Sequence, residues 1–179
     1  MSVLLSHVDV QVSIERLARE VIAQGWRDYS LIGIVTGGAV LAERLADELA
    51  RQSGSRPPVH RIDITLYRDD LYTGLEKLAL GGSDLPMTID GLNLLLVDDV
   101  LFTGRTVRAA LQVIYDYGRP NCVQLLTLVD RGHRELPIQP DFVGDVVQSQ
   151  KGDKVVVTLH REKAEQDSVS LLPMQSKTG

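Results

Sequence analysis

The stretch LLLVDDVLFTGRTVRAAL, Leu94 to Leu111, sets an apolar run against two carboxylates, follows them with a short loop holding one glycine and two threonines, and then resumes an apolar pattern. Leu94 to Val97 reads as a central strand, because strands covered on both faces of a parallel sheet are near-continuous apolar runs. The strand is expected to end on Asp98-Asp99. Val107, Leu111 and Ile114 then fall on one face of a helix that stops at Gly118, with Pro120 just beyond. Strand, loop and helix in that order are the unit of an open α/β sheet, whose ligands bind beyond the carboxyl ends of the strands. Asp98 to Thr106 would lie at that edge.

The same unit recurs on both sides. SLIGIV (Ser30 to Val35) is a short run rich in β-branched residues, followed by Thr36-Gly37-Gly38 and a helical pattern on Leu41, Leu45 and Leu49. Val59 to Leu66, Cys122 to Val129 and Lys154 to Leu159 read as further strands. Ser13 is the expected cap of an earlier helix, with Ile14, Leu17, Val21 and Ile22 on one face and an end near Gly25. The fold class is therefore α/β, a mostly parallel twisted sheet flanked by helices. Between Tyr67 and Thr88, three glycines, a proline and several charges break the periodicity. A surface excursion of that length is uncommon in a compact domain and is often functional, so a flexible loop over the site is expected from about 67 to 88. The tail, about 162 to 179, is expected to fray.

Composition bounds the rest. With 179 residues, 44% hydrophobic and 24% charged, the chain can bury one substantial core, which implies a single domain over 1–179. A net charge of −5 excludes a protein whose whole surface attracts nucleic acid and leaves room only for a local basic patch. Cys122, the single cysteine, cannot form an intramolecular disulfide, and the start MSVLLSHVDVQVS lacks a basic segment, a continuous apolar segment and a cleavage site. The cytoplasm is the expected compartment. No stretch approaches the roughly 18 uninterrupted apolar residues of a spanning helix.

A loop leading into a helix offers unpaired backbone N–H groups and the positive end of the helix dipole, so an anion is stabilised there. Gly104 permits close approach, and the hydroxyls of Thr103 and Thr106 add donors. This is a phosphate cradle without G-x-x-x-x-G-K-[ST] or G-x-G-x-x-G, so neither ATP nor NAD is indicated. Asp98 and Asp99 can accept from a diol or hold a hydrated Mg2+, which keeps waters and binds through one or two carboxylates plus substrate phosphates. Phosphate, hydroxyls and Mg2+ together describe a ribose 5-phosphate bearing further phosphates. Plainer roles compete at several positions: a solvated turn for a lone Asp pair or for Tyr67 to Asp70, core packing for Cys122 and Trp26, simple exposure for His133.

VDDVLFTGRT resembles the phosphoribosyl-pyrophosphate (PRPP) motif of the type I phosphoribosyltransferases. DITLYRDD (Asp63 to Asp70), YGRP (Tyr117 to Pro120) and LVDRGHRELPIQPDFVG (Leu128 to Gly144) resemble one branch, the PyrR proteins, which attenuate pyrimidine operons through RNA and are also uracil phosphoribosyltransferases. The resemblance runs from about Ile14 to Leu159.

It implies conversion of uracil and PRPP to UMP and pyrophosphate with Mg2+. By resemblance, Asp98 and Asp99 hold the ribose hydroxyls and the metal, and Val100, Leu101, Phe102, Thr103, Gly104, Arg105 and Thr106 form the nucleotide-binding segment. Thr36, Gly37 and Gly38 match the pyrophosphate loop, with Gly37 standing where relatives commonly carry arginine. Arg68 is the candidate for the charge developing on pyrophosphate, and the base rests against Val129, Asp130 and Arg131. Arg16, Arg19, Arg134, Lys151 and Lys154 are the candidate RNA contacts, interrupted by acidic neighbours. UMP or UTP would act as effectors, and relatives form homodimers or higher oligomers. The alternatives are a transferase for hypoxanthine or guanine, and an RNA-binding regulator with vestigial catalysis.

Overall fold

The structure is a computed structural model that describes residues 2–25, 28–67, 83–86 and 88–174, with the side chain of Leu66 excepted. Five strands form an all-parallel sheet: β2 (Tyr29–Ile34), β3 (Val59–Ile62), β4 (Asn93–Leu101), β5 (Cys122–Asp130) and β6 (Phe142–Val146), in the order β3-β2-β4-β5-β6. The helices α1 (His7–Ala23), α2 (Gly37–Ser53) and α3 (Arg105–Tyr117) connect or cover them. A second, antiparallel sheet joins β1 (Ser2–Leu5), β8 (Ser168–Leu172) and β7 (Lys154–Thr158) in the order β1-β8-β7.

Because successive side chains of a strand point to opposite faces, the central strands divide their apolar residues between two cores. Leu31, Leu95, Val97, Leu126 and Leu128 pack with α1 and α2; Ile32, Ile34, Leu94, Leu96 and Leu125 pack with Val107, Val113 and Ile114 of α3. The expected strand-loop-helix order is present. β4, however, does not stop at the carboxylates: Asp98 pairs with Thr127, Val100 with Val129 and Leu101 with Asp130, so pairing carries both acids inside the sheet edge.

Four expectations outside the central strands are corrected. Helix α1 starts seven residues before Ile14, capped by Ser6, whose N–H donates to Asp9 Oδ2 at 2.8 Å while Asp9 N–H returns to Ser6 Oγ at 3.4 Å. Ser13 instead donates from inside the helix to the Asp145 carboxylate of β6, and Ile22 lies on the exposed side. The strand from Val59 ends at Ile62, because Asp63 Oδ1 accepts from Thr65 N–H at 2.9 Å and turns the chain into a 3-10 turn, Thr65–Tyr67. The tail expected to fray carries β8, with Val169 and Ser170 buried. It is locked by Asp167, fully buried, which pairs with Arg44 of α2 and accepts from His160 N–H at 2.8 Å; Arg44 also reaches Gln11 of α1 at 2.8 Å. A charge pair closed by further hydrogen bonds is tolerated in such a place and fixes the tail against both helices.

Candidate functional site

β2 and β4 are neighbours, so the chain leaves the same edge of the sheet twice, into α2 and into α3. Neither cap residue closes its helix with a side chain; at α3 the one side-chain acceptor is the Thr103 hydroxyl, which takes the Arg105 N–H at 3.3 Å. The cap position of α2 is Thr36, without a side-chain hydrogen bond, and that of α3 is Gly104 at φ +91°, which has no side chain to offer. Two sets of forward-pointing N–H groups thus stand side by side.

The first turn, Thr36-Gly37-Gly38, follows a cis peptide between Val35 and Thr36. A Cβ on Gly38 would strike the Val97 carbonyl and come within 3.1 Å of Asp98 Cα, so the start of α2 lies backbone against backbone on β4. The second turn, Thr103 to Thr106, is held from the other side. Thr103 O accepts from Glu135 N–H at 2.9 Å and Leu136 N–H at 3.2 Å, and a Cβ on Gly104, whose φ is positive, would stand 3.4 Å from the side chains of Leu136 and Ile138. Arg105 pairs with Glu135 at 3.0 Å, and Glu135 also receives Lys151 at 2.9 Å.

Between the two turns lie the acids. Asp98 is 4% exposed; its Oδ1 accepts from Asp99 N–H at 3.0 Å, and its Oδ2 is buried with no partner. Asp99, half-buried, accepts from Val100 N–H at 2.9 Å. Burial, and then the neighbouring Asp99 charge, pushes the Asp98 carboxyl well above its ordinary value; burial raises Asp99 as well. Among the described residues no Lys or Arg pairs with either, and no group of three or more His, Cys, Asp or Glu gathers as a metal site.

The segment Val129-Asp130-Arg131 flanks the second turn. Val129 is fully buried, and Arg131, 6% exposed, lays its guanidinium over the Phe102 ring at 4.1 Å while donating to the carbonyls of Gln150 and Asp153, both at 2.8 Å. Burial holds the Arg131 guanidinium below its usual range. Phe102 also meets His133 edge to face, 6.0 Å between centroids. These contacts, like Glu135 under Thr103, join residues distant in sequence, and no local pattern announces them.

The five candidate RNA contacts do not form one free surface. Arg134 is committed to the Asp130 carboxylate at 2.5 Å and to the carbonyls of Phe102 and Ile138 at 3.0 Å, so it braces the nucleotide segment. Arg16 is spent on Glu20 at 3.0 Å and on backbone carbonyls of β6. Arg19 and Lys154 are exposed, and Lys151 is tied to Glu135. Arg68, Trp26 and most of the expected loop over the site lie outside the described residues. Its roots are held: Asp63 N–H donates to Ser83 Oγ at 3.1 Å, and Tyr67 OH donates to Asp116 of α3 at 2.7 Å.

Residues 4–161 match the family model of the phosphoribosyl transferase domain. The chain is 48% identical over 171 residues to the "Bifunctional protein PyrR" of Chloroflexus aurantiacus, covering 94% of this chain and 93% of that one. It is 46% identical over 158 residues to the protein of that name from Citrifermentans bemidjiense, covering 87% and 89%. Among solved structures it is similar to the hypoxanthine phosphoribosyltransferase of Trypanosoma cruzi, TM-score 0.70 at 16% identity, covering 98% of both chains. A hypoxanthine phosphoribosyltransferase from Staphylococcus aureus gives TM-score 0.66 at 18% identity, covering 99% of this chain and 94% of that one. At those identities the structural likeness speaks for the fold alone.

Proposed function

This chain belongs to the PyrR branch of the phosphoribosyl transferase family, and from that premise we propose that it joins uracil to the ribosyl phosphate of PRPP, giving UMP and pyrophosphate. The observation that carries the proposal is the pair of helix N-termini on adjacent strands, neither closed by its own cap residue, with two carboxylates between them with which no Lys or Arg among the described residues pairs. Two anions held a ribose apart, one at each helix, with the sugar over Asp98 and Asp99, fit that arrangement.

In this reading Thr103, Gly104, Arg105 and Thr106 bind the 5-phosphate through backbone N–H groups and hydroxyls, and Thr36, Gly37 and Gly38 turn N–H groups toward the pyrophosphate. Uracil N1 forms its bond to the anomeric carbon as the carbon–oxygen bond to pyrophosphate breaks, and the N1 proton passes to solvent. The sugar becomes cation-like on the way. Asp98 and Asp99 accept from its hydroxyls and oppose its charge, so they bind the transition state better than the ground state. Two adjacent carboxylates, one with a buried oxygen lacking a partner, also fit a hydrated divalent cation. Bound with PRPP, Mg2+ would neutralise the leaving phosphates. Asp130 and Arg131, with Phe102 under the Arg131 guanidinium and Val129 buried behind them, form the wall against which the base rests, and Arg68 serves the leaving group.

The test is a PRPP-dependent assay with Mg2+ against uracil, hypoxanthine and guanine. UMP formation with little turnover of either purine is the expected result; turnover of a purine alone moves the chain to the alternative base class. For the regulatory role we propose a uridine-nucleotide-responsive contact with the leader RNA of pyrimidine genes, centred on exposed Arg19, Lys151 and Lys154 rather than on Arg16 and Arg134. Such binding should weaken steeply with salt, since it rests on phosphate contacts. Assembly into a homodimer or larger homo-oligomer and a cytoplasmic setting are part of the same proposal; no helix among the described residues is long and apolar enough to cross a membrane.

A further inference from the structure

The wall assigned to the base is not held by its own strand. Arg131, just past the end of β5, is buried, and all three of its guanidinium nitrogens reach one short segment between β6 and β7. Nε donates to Ser149 Oγ at 3.2 Å, and the two terminal nitrogens donate to the carbonyls of Asp153 and Gln150, both at 2.8 Å. Among the described residues no carboxylate pairs with this cation. A planar fork takes acceptors that lie near its own plane, so the placing of those two carbonyls sets the plane of the guanidinium. That plane covers the Phe102 ring at 4.1 Å from its centroid. His133, edge-on to the same ring, is held by the same segment: its Nε2 lies 2.7 Å from Ser149 O, and since a carbonyl only accepts, Nε2 carries the proton.

Asp153 fixes the segment. Its N–H donates to Gln150 O at 3.1 Å and its Oδ2 accepts the Gln150 N–H at 2.7 Å, so the two ends of the 150–153 turn close on each other. Its Oδ1 accepts the Met174 N–H at 3.1 Å, just past the end of β8. These backbone donors hold the Asp153 carboxyl below its ordinary value. Gln150 O thus serves two bonds at once, the one that closes the turn and the one that Arg131 donates. The phosphate cradle is braced from elsewhere: Thr103 O takes the N–H groups of Glu135 and Leu136, and Phe102 O takes Arg134. The tie from the turn toward the cradle, Lys151 to Glu135 at 2.9 Å, is a surface ion pair of small weight.

We propose that Asp153 is a positioning residue for the base: by closing the 150–153 turn it places the carbonyls that orient Arg131, and Arg131 in turn sets the face presented over Phe102. The proposal rests on the phosphoribosyl reading and on the placing of uracil against Asp130 and Arg131. Without the Asp153 carboxylate the Gln150 N–H loses its acceptor, the turn opens, and the guanidinium no longer has two carbonyls at a fixed spacing. The base then meets a loose wall, while the 5-phosphate and pyrophosphate meet the same main-chain N–H groups as before.

The test is steady-state kinetics of Asp153→Ala and Asp153→Asn on the full chain with Mg2+, varying uracil and PRPP in turn, beside NMR of the Arg131 side-chain Nε–H. In Asp153→Ala, KM for uracil should rise about tenfold or more, while KM for PRPP stays within about twofold of wild type. Asp153→Asn, which keeps one acceptor oxygen where the carboxylate has two, should fall between. In an Arg131→Met background, whose own KM for uracil is raised, Asp153→Ala should add almost nothing, because it acts through the guanidinium. The Arg131 Nε–H signal, slow to exchange in wild type, should lose its protection in Asp153→Ala. An equal rise in both KM values, which general loosening would give, would overturn the proposal. So would a fall in kcat alone, an unchanged KM for uracil, or multiplicative losses in the Arg131→Met background. If Asp153→Ala fails to fold, Asp153→Asn carries the same comparison. A wild-type chain that turns over no uracil refutes the transferase reading instead; the Arg131 signal then decides the clamp alone, and protection retained in the Asp153 variants refutes it.

Discussion

Helix α1 and helices α2 and α3 end in opposite ways, although all three pack on the same parallel sheet. At α1 the chain closes its own N-terminus, with Ser6 and Asp9 exchanging hydrogen bonds, and the nearby tail is closed by Arg44, Asp167 and Gln11. At α2 and α3 no cap residue does this, and among the described residues no Lys or Arg pairs with the carboxylates between them. A chain able to satisfy its polar groups in one place and leaving them open in another has reserved the open place for a ligand. The closed region contributes stability, and the open region gives some of it up for binding.

This division can be broken most forcefully from the closed side. Asp167→Ala leaves Arg44 buried without its partner, a class of change that costs about 3–5 kcal/mol, and should lower the denaturant midpoint sharply. PRPP affinity of the folded fraction should be unchanged. A loss of affinity without a loss of stability would show that the tail belongs to the site. On the open side, Asp99→Asn should lower kcat by roughly 100- to 1000-fold, the scale on which a single group aimed at transition-state charge acts, with a much smaller change in PRPP affinity. An unchanged kcat would remove the electrostatic role from this carboxylate.

Legibility followed the same division. The stretch Leu94 to Leu111 announced strand, cradle and helix because near-continuous apolar character, a turn glycine and a helical period are local signals, and α2 after Thr36-Gly37-Gly38 was legible for the same reason. What was not legible depends on partners far along the chain. Ser6 went unread because the acidic partner of its capping box is Asp9, where the usual pattern has Glu or Gln, and Ser13 offered a better-looking start. β8 was hidden because SVSLL is short and pairs with β1, at the other end of the chain. Arg16 and Arg134 read as surface cations until their carbonyl partners, up to 128 residues away, were placed. Gly37, which stands where relatives commonly carry arginine, lies against the Asp99 side chain, a contact between residues 62 apart that no local pattern shows.

Thr106→Val sharpens the contrast at an intermediate scale. Hydrogen bonds to a charged group are worth about 1.5–3 kcal/mol, so PRPP should bind roughly ten- to a hundred-fold more weakly, with kcat at saturation little altered. A fall confined to kcat would place the hydroxyl at the reacting centre rather than on the 5-phosphate. Ser6→Ala, at the closed helix, should cost about 1 kcal/mol of stability and nothing in PRPP affinity or turnover. Urea titration and the base assay, run on the same preparation, separate the two.

The smallest effect is the most diagnostic in sign. Burial and the neighbouring Asp99 charge raise the folded-state value of Asp98, so the folded chain holds this proton more tightly than the unfolded chain does. Stability associated with the group is therefore fully present below the ordinary carboxylate value, near 3.8, and is lost as pH rises through the raised folded value. Asp98→Asn removes the titration. In metal-free, ligand-free protein the variant should gain on wild type as pH rises toward neutrality, by up to about 1 kcal/mol or roughly 2–4 °C in Tm, because the buried charge is gone while an amide short of one partner remains. Near pH 4 the gain should vanish. Turnover should fall in the same variant, so that stability and activity move in opposite directions at one residue of the open region, as they cannot at Ser6. A Tm difference that stays constant across the pH range would mean that Asp98 does not carry the buried charge assigned to it.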